Sequence, residues 1–214
     1  MFDAALRRRL DGPLAAAAER IDRSWVTPDG LTLVGLILGL TSAGFAAGQL
    51  WGWALVAWLL SRAMDGLDGP LARRRANGQG SPAGGFLDIS ADFLVYGTTV
   101  VGIAVGTVGT SAPLDDWLPF LAVLLAYYVN GTAFLAFSSI AERTGHRLDD
   151  GRSLSFLGGI AEGAETIFVH SVWLLVPGYA PLVATAWAAV VGVSAAHRII
   201  TGYRTLRGPA TAGS

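Results

Sequence analysis

Six long apolar stretches alternate with short polar links along the chain, at 31–50, 51–72, 84–106, 117–140, 154–176 and 179–200. Several hold about the ~20 residues needed to cross a bilayer at a rise of ~1.5 Å per residue. Hydrocarbon leaves no partner for a loose backbone amide, so all six are predicted to be helices. The predicted fold is therefore all-α: a polytopic membrane protein with six transmembrane helices. Gly35, Gly39, Gly44 and Gly48 in the first stretch suit close helix–helix approach. Residues 1–25 follow another pattern. Phe2, Leu6 and Leu10, then Leu14, Ala18 and Ile21, recur at helical spacing with arginines opposite, interrupted by Gly12-Pro13. This is expected to be an amphipathic segment lying in the cytoplasmic interface; a partly disordered basic tail is the alternative. Thr27-Pro28-Asp29 is predicted to turn the chain and cap the first span. The expected organisation is an interfacial segment over 1–25, a six-helix transmembrane domain over 26–207 and a mobile small-residue tail over 208–214.

Composition supports this patterning. Of 214 residues, 52% are hydrophobic and 14% charged, against about a quarter charged in a soluble domain. Cys is absent, which excludes disulfides and thiolate metal sites. The first 25 residues, broken by Arg7-Arg8-Arg9 and Asp11, have no signal-peptide core. All fifteen basic residues are arginine, and their placement sets the orientation. Arg7, Arg8, Arg9, Arg20 and Arg23 precede span 1, and Arg62, Arg73, Arg74 and Arg75 lie towards the link between spans 2 and 3. Arg143, Arg147 and Arg152 fall between spans 4 and 5, while Arg198, Arg204 and Arg207 close the chain. The other three links have none, and one carries Asp115 and Asp116. The positive-inside rule then places every arginine and both termini on the cytoplasmic side. Membrane lipids, and no nucleic acid, are the expected partners of such a surface. Trp51, Trp53 and Trp117 near the outer ends fit an aromatic belt.

The chemistry is concentrated where spans 2 and 3 approach their link. Asp65 and Asp68 are three apart on one predicted helix; Asp88 and Asp92 are four apart on the next. Each pair therefore lies on one helical face. Two adjacent antiparallel helices would bring four carboxylates together at the inner membrane edge. Four like charges in a poorly hydrated place require compensation by protons or cations. Hard divalent ions suit oxygen ligands, and no His or Cys stands nearby in sequence to suggest zinc. Two ions ~4 Å apart would clamp a pyrophosphate for an in-line displacement. Helix capping explains one or two such aspartates, not four. Gly69 and Ala72, three apart, leave a bare helical patch that would admit a nucleotide, and Pro70 is expected to loosen the helix beside it. Arg73 suits phosphate oxygens. Arg74 and Arg75 read more simply as anchors.

These residues resemble the signature of the CDP-alcohol phosphotransferase family. Its eight positions are met by Asp65, Asp68, Gly69, Ala72, Arg73, Gly84, Asp88 and Asp92; the link from Arg73 to Gly84 is two residues longer than usual. The resemblance implies an enzyme of the EC 2.7.8 type in the inner (cytoplasmic) membrane, with its active site on the cytoplasmic side. It implies a homodimer, two Mg²⁺ or Mn²⁺ ions on the four aspartates, and transfer of a phosphatidyl group from CDP-diacylglycerol to a small alcohol with release of CMP. It further implies that Asp92 serves as base on the acceptor hydroxyl, and that Gly69, Ala72, Arg73, Ser81 and Gly84 line the CDP site. Thr27-Pro28-Asp29-Gly30-Leu31-Thr32 is similar to the entry of the first span in phosphatidylinositol-phosphate synthases, which makes Asp29 and Thr32 expected nucleotide contacts; a simple helix cap is the alternative.

On the acceptor side, Glu162 and Glu165 are expected three apart on one helical face within an apolar run, binding acceptor hydroxyls or an amine, or else a neighbouring helix. Inositol-phosphate synthases carry arginines beside such acids, whereas Gly163 and Thr166 stand here. An unphosphorylated acceptor is therefore expected. His170 and His197 read as packing or hydrogen-bonding residues. Transfer of a phospho-head group from a CDP-alcohol to diacylglycerol is the alternative chemistry. A divalent-cation transporter would want its acids at mid-membrane, and a prenyltransferase would need a second acid-rich motif and a longer chain.

Overall fold

Seven α-helices and one short 3-10 turn make up the computed structural model, which describes residues 2–75, 81–146, 158 and 161–208 (backbone alone for 2–8 and 10). They are α1 (Phe2–Ile21), α2 (Pro28–Ala47), α3 (Trp51–Arg75), α4 (Pro82–Val108), α5 (Leu114–Thr144), α6 (Gly163–Leu175) and α7 (Ala180–Arg207). Arg147, Arg152 and the tail beyond Gly208 lie outside the described residues. α2, α4, α5 and the segment Pro177–Arg207 are long and apolar enough to cross a membrane. α3 is long enough too, but its second half carries Arg62, Asp65, Asp68 and Arg73 to Arg75. α6 is apolar, with 13 residues. Leu33, Ile37, Leu40, Leu59, Leu60, Leu125, Leu182 and Val193 point outward and exposed, a distribution that suits lipid as the surrounding solvent. The chain is a multi-pass helical membrane protein.

Local chemistry sets the helix ends. The Thr27 hydroxyl accepts from the Gly30 amide at 3.0 Å and Pro28 occupies the first turn, so α2 starts as expected from the sequence. Such a cap contributes about 1 kcal/mol. At the other end Gln49 adopts φ 60, and its side chain donates to the Gly106 carbonyl at 2.9 Å, tying the α2–α3 link to the end of α4. Gly145, at φ 74, closes α5.

The lateral order of the helices differs from the expected one. α2 packs along both α3 and α4, while α3 and α4 touch each other little. The reason lies in the small residues of α2. A side chain at Gly35 would press on the Ser61 carbonyl, and one at Gly39 would strike Val95 and Ser61. Ser61 Oγ donates to the Gly35 carbonyl and Ser42 Oγ to the Ala54 carbonyl, both at 2.7 Å. Gly102 and Gly106 of α4 meet the backbone of Ala43 and Ala46. α5 and α7 form a second close pair, and α6 lies against α3.

The N-terminal segment is one helix through Gly12-Pro13, not two pieces, with Pro13 inside it. Ala18 is buried with Leu31 and Leu71, Ile21 packs beside them, and Leu14 lies against Gly66. That stripe covers the C-terminal end of α3. Arg74 and Arg75, read from sequence as membrane anchors, also hold α1: Arg75 donates to Asp22 at 2.7 Å, and Arg74 reaches Asp22 at 3.0 Å and Glu19 at 3.2 Å. The Arg75 hydrogen bond keeps the Asp22 carboxyl below the usual carboxylate range, against a smaller effect of burial. Pro70 sits inside a continuous α3. Trp53 is exposed at its helix end as a belt residue would be, whereas Trp51 and Trp117 pack on the core.

Candidate active site

α2, α3 and α4 together carry the signature residues to one end of the bundle. Asp65 lies within electrostatic reach of Asp92, Asp88 and Asp68, so the two pairs do face one site although their helices are separated by α2. Among the described residues, no three acidic or histidine side chains converge closely enough to grip an ion as they stand. Protein partners hold them instead. Arg62 Nη1 donates to Asp92 Oδ1 at 2.6 Å and stands 3.5 Å from Asp65. Thr32 Oγ1 donates to Asp68 Oδ2 at 2.5 Å. The donor set is hard carboxylate oxygen, the chemistry that Mg²⁺ or Mn²⁺ prefers, so these residues fit such ions.

Arg62 is the residue that sequence reasoning used only for orientation. Its side chain is 5% exposed. The guanidinium lies between Trp58 and Tyr96, 5.2 and 5.1 Å from their ring centroids, and its Nη2 donates to Ser61 Oγ at 3.0 Å. Behind it His170 is fully buried against Trp58 and Trp173 and meets the Tyr127 hydroxyl at 3.0 Å, while Trp187 donates to the same hydroxyl at 2.6 Å. His170 is thus the packing and hydrogen-bonding histidine its lone position suggested. One signal for Arg62 was available: it stands three residues before Asp65, on the same helical face.

The expected nucleotide contacts gather around the same end. Arg73 is exposed and folds back over Gly69, where an added Cβ would lie 3.3 Å from its Nη1. Ala72 lies one residue before Arg73 on the same turn. Asp29, exposed at the start of α2, stands against Gly84: a Cβ there would lie 3.2 Å from Asp29 Oδ1. Ser81 caps α4, its hydroxyl accepting from the Gly84 amide at 2.9 Å. Thr32 faces Asp68.

Glu162 and Glu165 do not share a helical face. Glu162 is the extended N-cap of α6, and Glu165 lies in its first turn with one buried oxygen lacking a hydrogen bond. Gly163 starts the helix, so the acids flank its positive end. The neighbouring Ala161 amide donates to Ser194 on α7 at 3.3 Å. One turn further along α7, buried Arg198 donates to Asn130 at 3.1 Å and borders a small apolar cavity with Phe137, Ile140 and Leu206.

A multi-helix site with paired aspartates, a Gly/Ala patch and an arginine at one end of the bundle suits a phosphotransferase. Residues 25–195 match the model of the CDP-alcohol phosphatidyltransferase family, and the chain belongs to that family. It is an EC 2.7.8-type transferase of phospholipid biosynthesis. It is 37% identical to the inner membrane protein YnjF of Escherichia coli over 97% of this chain and 98% of that protein. It is 33% identical to an archaetidylinositol phosphate synthase of Methanothermobacter thermautotrophicus, over 78% of this chain and 72% of the relative. The fold matches Mycobacterium tuberculosis phosphatidylinositol phosphate synthase with CDP-DAG bound, with TM-score 0.71, 20% identity, and 92% of this chain and 98% of that one covered. The same enzyme with manganese and citrate matches with TM-score 0.69 at 21% identity, over 94% and 95% of the two chains.

Proposed function

We propose that the protein transfers the phosphatidyl group of CDP-diacylglycerol to a small alcohol and releases CMP. The observation that carries this is the joint placement of Asp65, Asp68, Asp88 and Asp92 beside a bare Gly69 overlain by Arg73. The four aspartates would hold two divalent cations, Mg²⁺ or Mn²⁺, which when bound offset pyrophosphate charge and the charge building on the departing CMP. Arg73 donates hydrogen bonds to phosphate oxygens, and the small surfaces of Gly69 and Gly84 admit the nucleotide, with Ala72 and Ser81 at its border. Asp29 and Thr32 address the cytidine end. Asp92 accepts the proton of the acceptor hydroxyl as its oxygen bonds to the phosphatidyl phosphorus and the bond to CMP breaks. The six apolar stretches that contain α2–α7 span the inner membrane, α1 rests in the cytoplasmic interface, and the arginine-rich end with both termini and the site faces the cytoplasm. The working unit is a homodimer.

For the acceptor, Glu162 and Glu165 beside the α6 N-terminus bind hydroxyls of an unphosphorylated polyol or amino alcohol. The second reading is a phosphorylated polyol. It is favoured by Arg198, a buried cation one turn from the residue that meets Ala161, and by the inositol phosphate activity in the names of similar proteins. Purified protein given radiolabelled CDP-diacylglycerol with inositol, serine, ethanolamine, choline, glycerol, glycerol 3-phosphate or inositol phosphate decides between them. CMP should appear only with metal and an accepted alcohol. Under the first reading Glu162→Gln and Glu165→Gln raise acceptor KM more than donor KM. A clear preference for a phosphorylated compound, lost in Arg198→Gln, selects the second. No CMP with any alcohol would reject phosphatidyl transfer.

Arg73→Ala should weaken donor binding by about 1.5–3 kcal/mol, the usual contribution of a hydrogen bond to a charged group, with a smaller change in kcat. An unchanged donor affinity, measured by equilibrium binding of CDP-diacylglycerol, would return Arg73 to the role of a membrane-edge anchor.

A further inference from the structure

We propose that Arg62 is a positioning residue of this reaction: a fixed internal cation that holds one oxygen of Asp92 so that the other addresses the acceptor, and that competes with the metals for the aspartates. The inference rests on the phosphatidyl-transfer reading above and adds a residue to it.

Arg62 stands three residues before Asp65 on α3, reaches across to Asp92 on α4, and is almost fully buried. A buried charge is costly, and a hydrophobic pair would fill the same space at less cost. The surroundings hold it rigidly all the same. Trp58 and Tyr96 flank the guanidinium, Ser61 accepts from Nη2, and the Tyr96 hydroxyl lies 3.3 Å from Nη1. Ser61 is itself fixed by its bond to the Gly35 carbonyl. The cation is thus locked by α2, α3 and α4 before any ligand arrives, and Asp92 meets it at 2.6 Å.

This arrangement solves a conflict at Asp92. A carboxylate that both neighbours a metal and takes a proton needs one oxygen left in a defined direction. A short charge-assisted bond to a rigid donor supplies that direction. The same positive charge repels divalent cations approaching Asp65 and Asp92, so Arg62 should oppose metal binding while favouring chemistry. A residue with a merely structural role would move both the same way.

The test uses Arg62→Gln and Arg62→Lys in the purified full-length protein. Mn²⁺ binding is measured by calorimetry without substrate, and kcat and donor KM by CMP release at saturating Mn²⁺. For Arg62→Gln, kcat should fall about 10–100-fold, as for other residues that orient metal-site ligands. Donor KM should hold, and Mn²⁺ affinity should tighten by about tenfold or more because a nearby like charge is gone. Arg62→Lys keeps the charge and loses the planar fork; its Mn²⁺ affinity should match the parent and its kcat should lie between the other two. Weaker Mn²⁺ binding in Arg62→Gln, or an unchanged kcat in either variant, overturns the proposal. If Arg62→Gln does not fold, Arg62→Lys decides alone through its kcat. Failure of the transfer reading looks different: the unmodified protein would bind Mn²⁺ yet release no CMP.

Discussion

Asp65→Asn, Asp68→Asn and Asp88→Asn should each lower CMP release by about 10²–10³-fold or more, the loss seen when a group that stabilises transition-state charge is removed. Asn keeps the size and one carbonyl oxygen, so each helix should remain in place while a ligand charge disappears. Asp65 is expected to be the most sensitive, because it lies within reach of the other three aspartates and of Arg62. Excess EDTA should abolish turnover of the parent protein, and Mg²⁺ or Mn²⁺ should restore it. Mn²⁺ titration of each variant checks the same point without catalysis, and should show weakened binding. Full turnover in excess EDTA would sink the two-metal mechanism.

Asp92→Asn should separate binding from chemistry. General-base catalysis contributes about 10²–10⁴-fold, and that is the expected fall in kcat. The Asn carbonyl can still accept from Arg62, so the buried contact at 2.6 Å has a successor and the local fold should persist. Donor affinity should therefore survive much better than turnover. Single-turnover measurements with bound CDP-diacylglycerol would show this directly. Near-normal turnover would mean that another group takes the proton.

Helix positions and membrane character were legible in the sequence because bilayer physics imposes a length and a charge asymmetry on every span. The aspartate pairs were legible because spacings of three and four fix a shared face. What could not be read was sideways placement. Apolar periodicity does not say which helix stands beside which, so α2 between α3 and α4 was unforeseen, and with it the bond from Thr32 to Asp68. Arg62 escaped because it groups in sequence with the membrane-edge arginines although it lies midway along α3; burial between Trp58 and Tyr96 is a tertiary fact. At α6 the apolar run 154–176 extends beyond the described helix, which starts at Gly163, so Glu162 falls at a cap and not on a face with Glu165.

The glycines of α2 act as a feeler gauge for the reaction. α2 packs along both α3 and α4, the helices that carry the two acid pairs, and it is thinnest where Gly35 and Gly39 lack side chains. Gly39 lies about two turns along α2 from Thr32, and a methyl group there would strike Val95 of α4 and Ser61 of α3. Under the proposed mechanism, the spacing of the two acid pairs would thus be tuned from further along the helical bundle, by atoms that are missing.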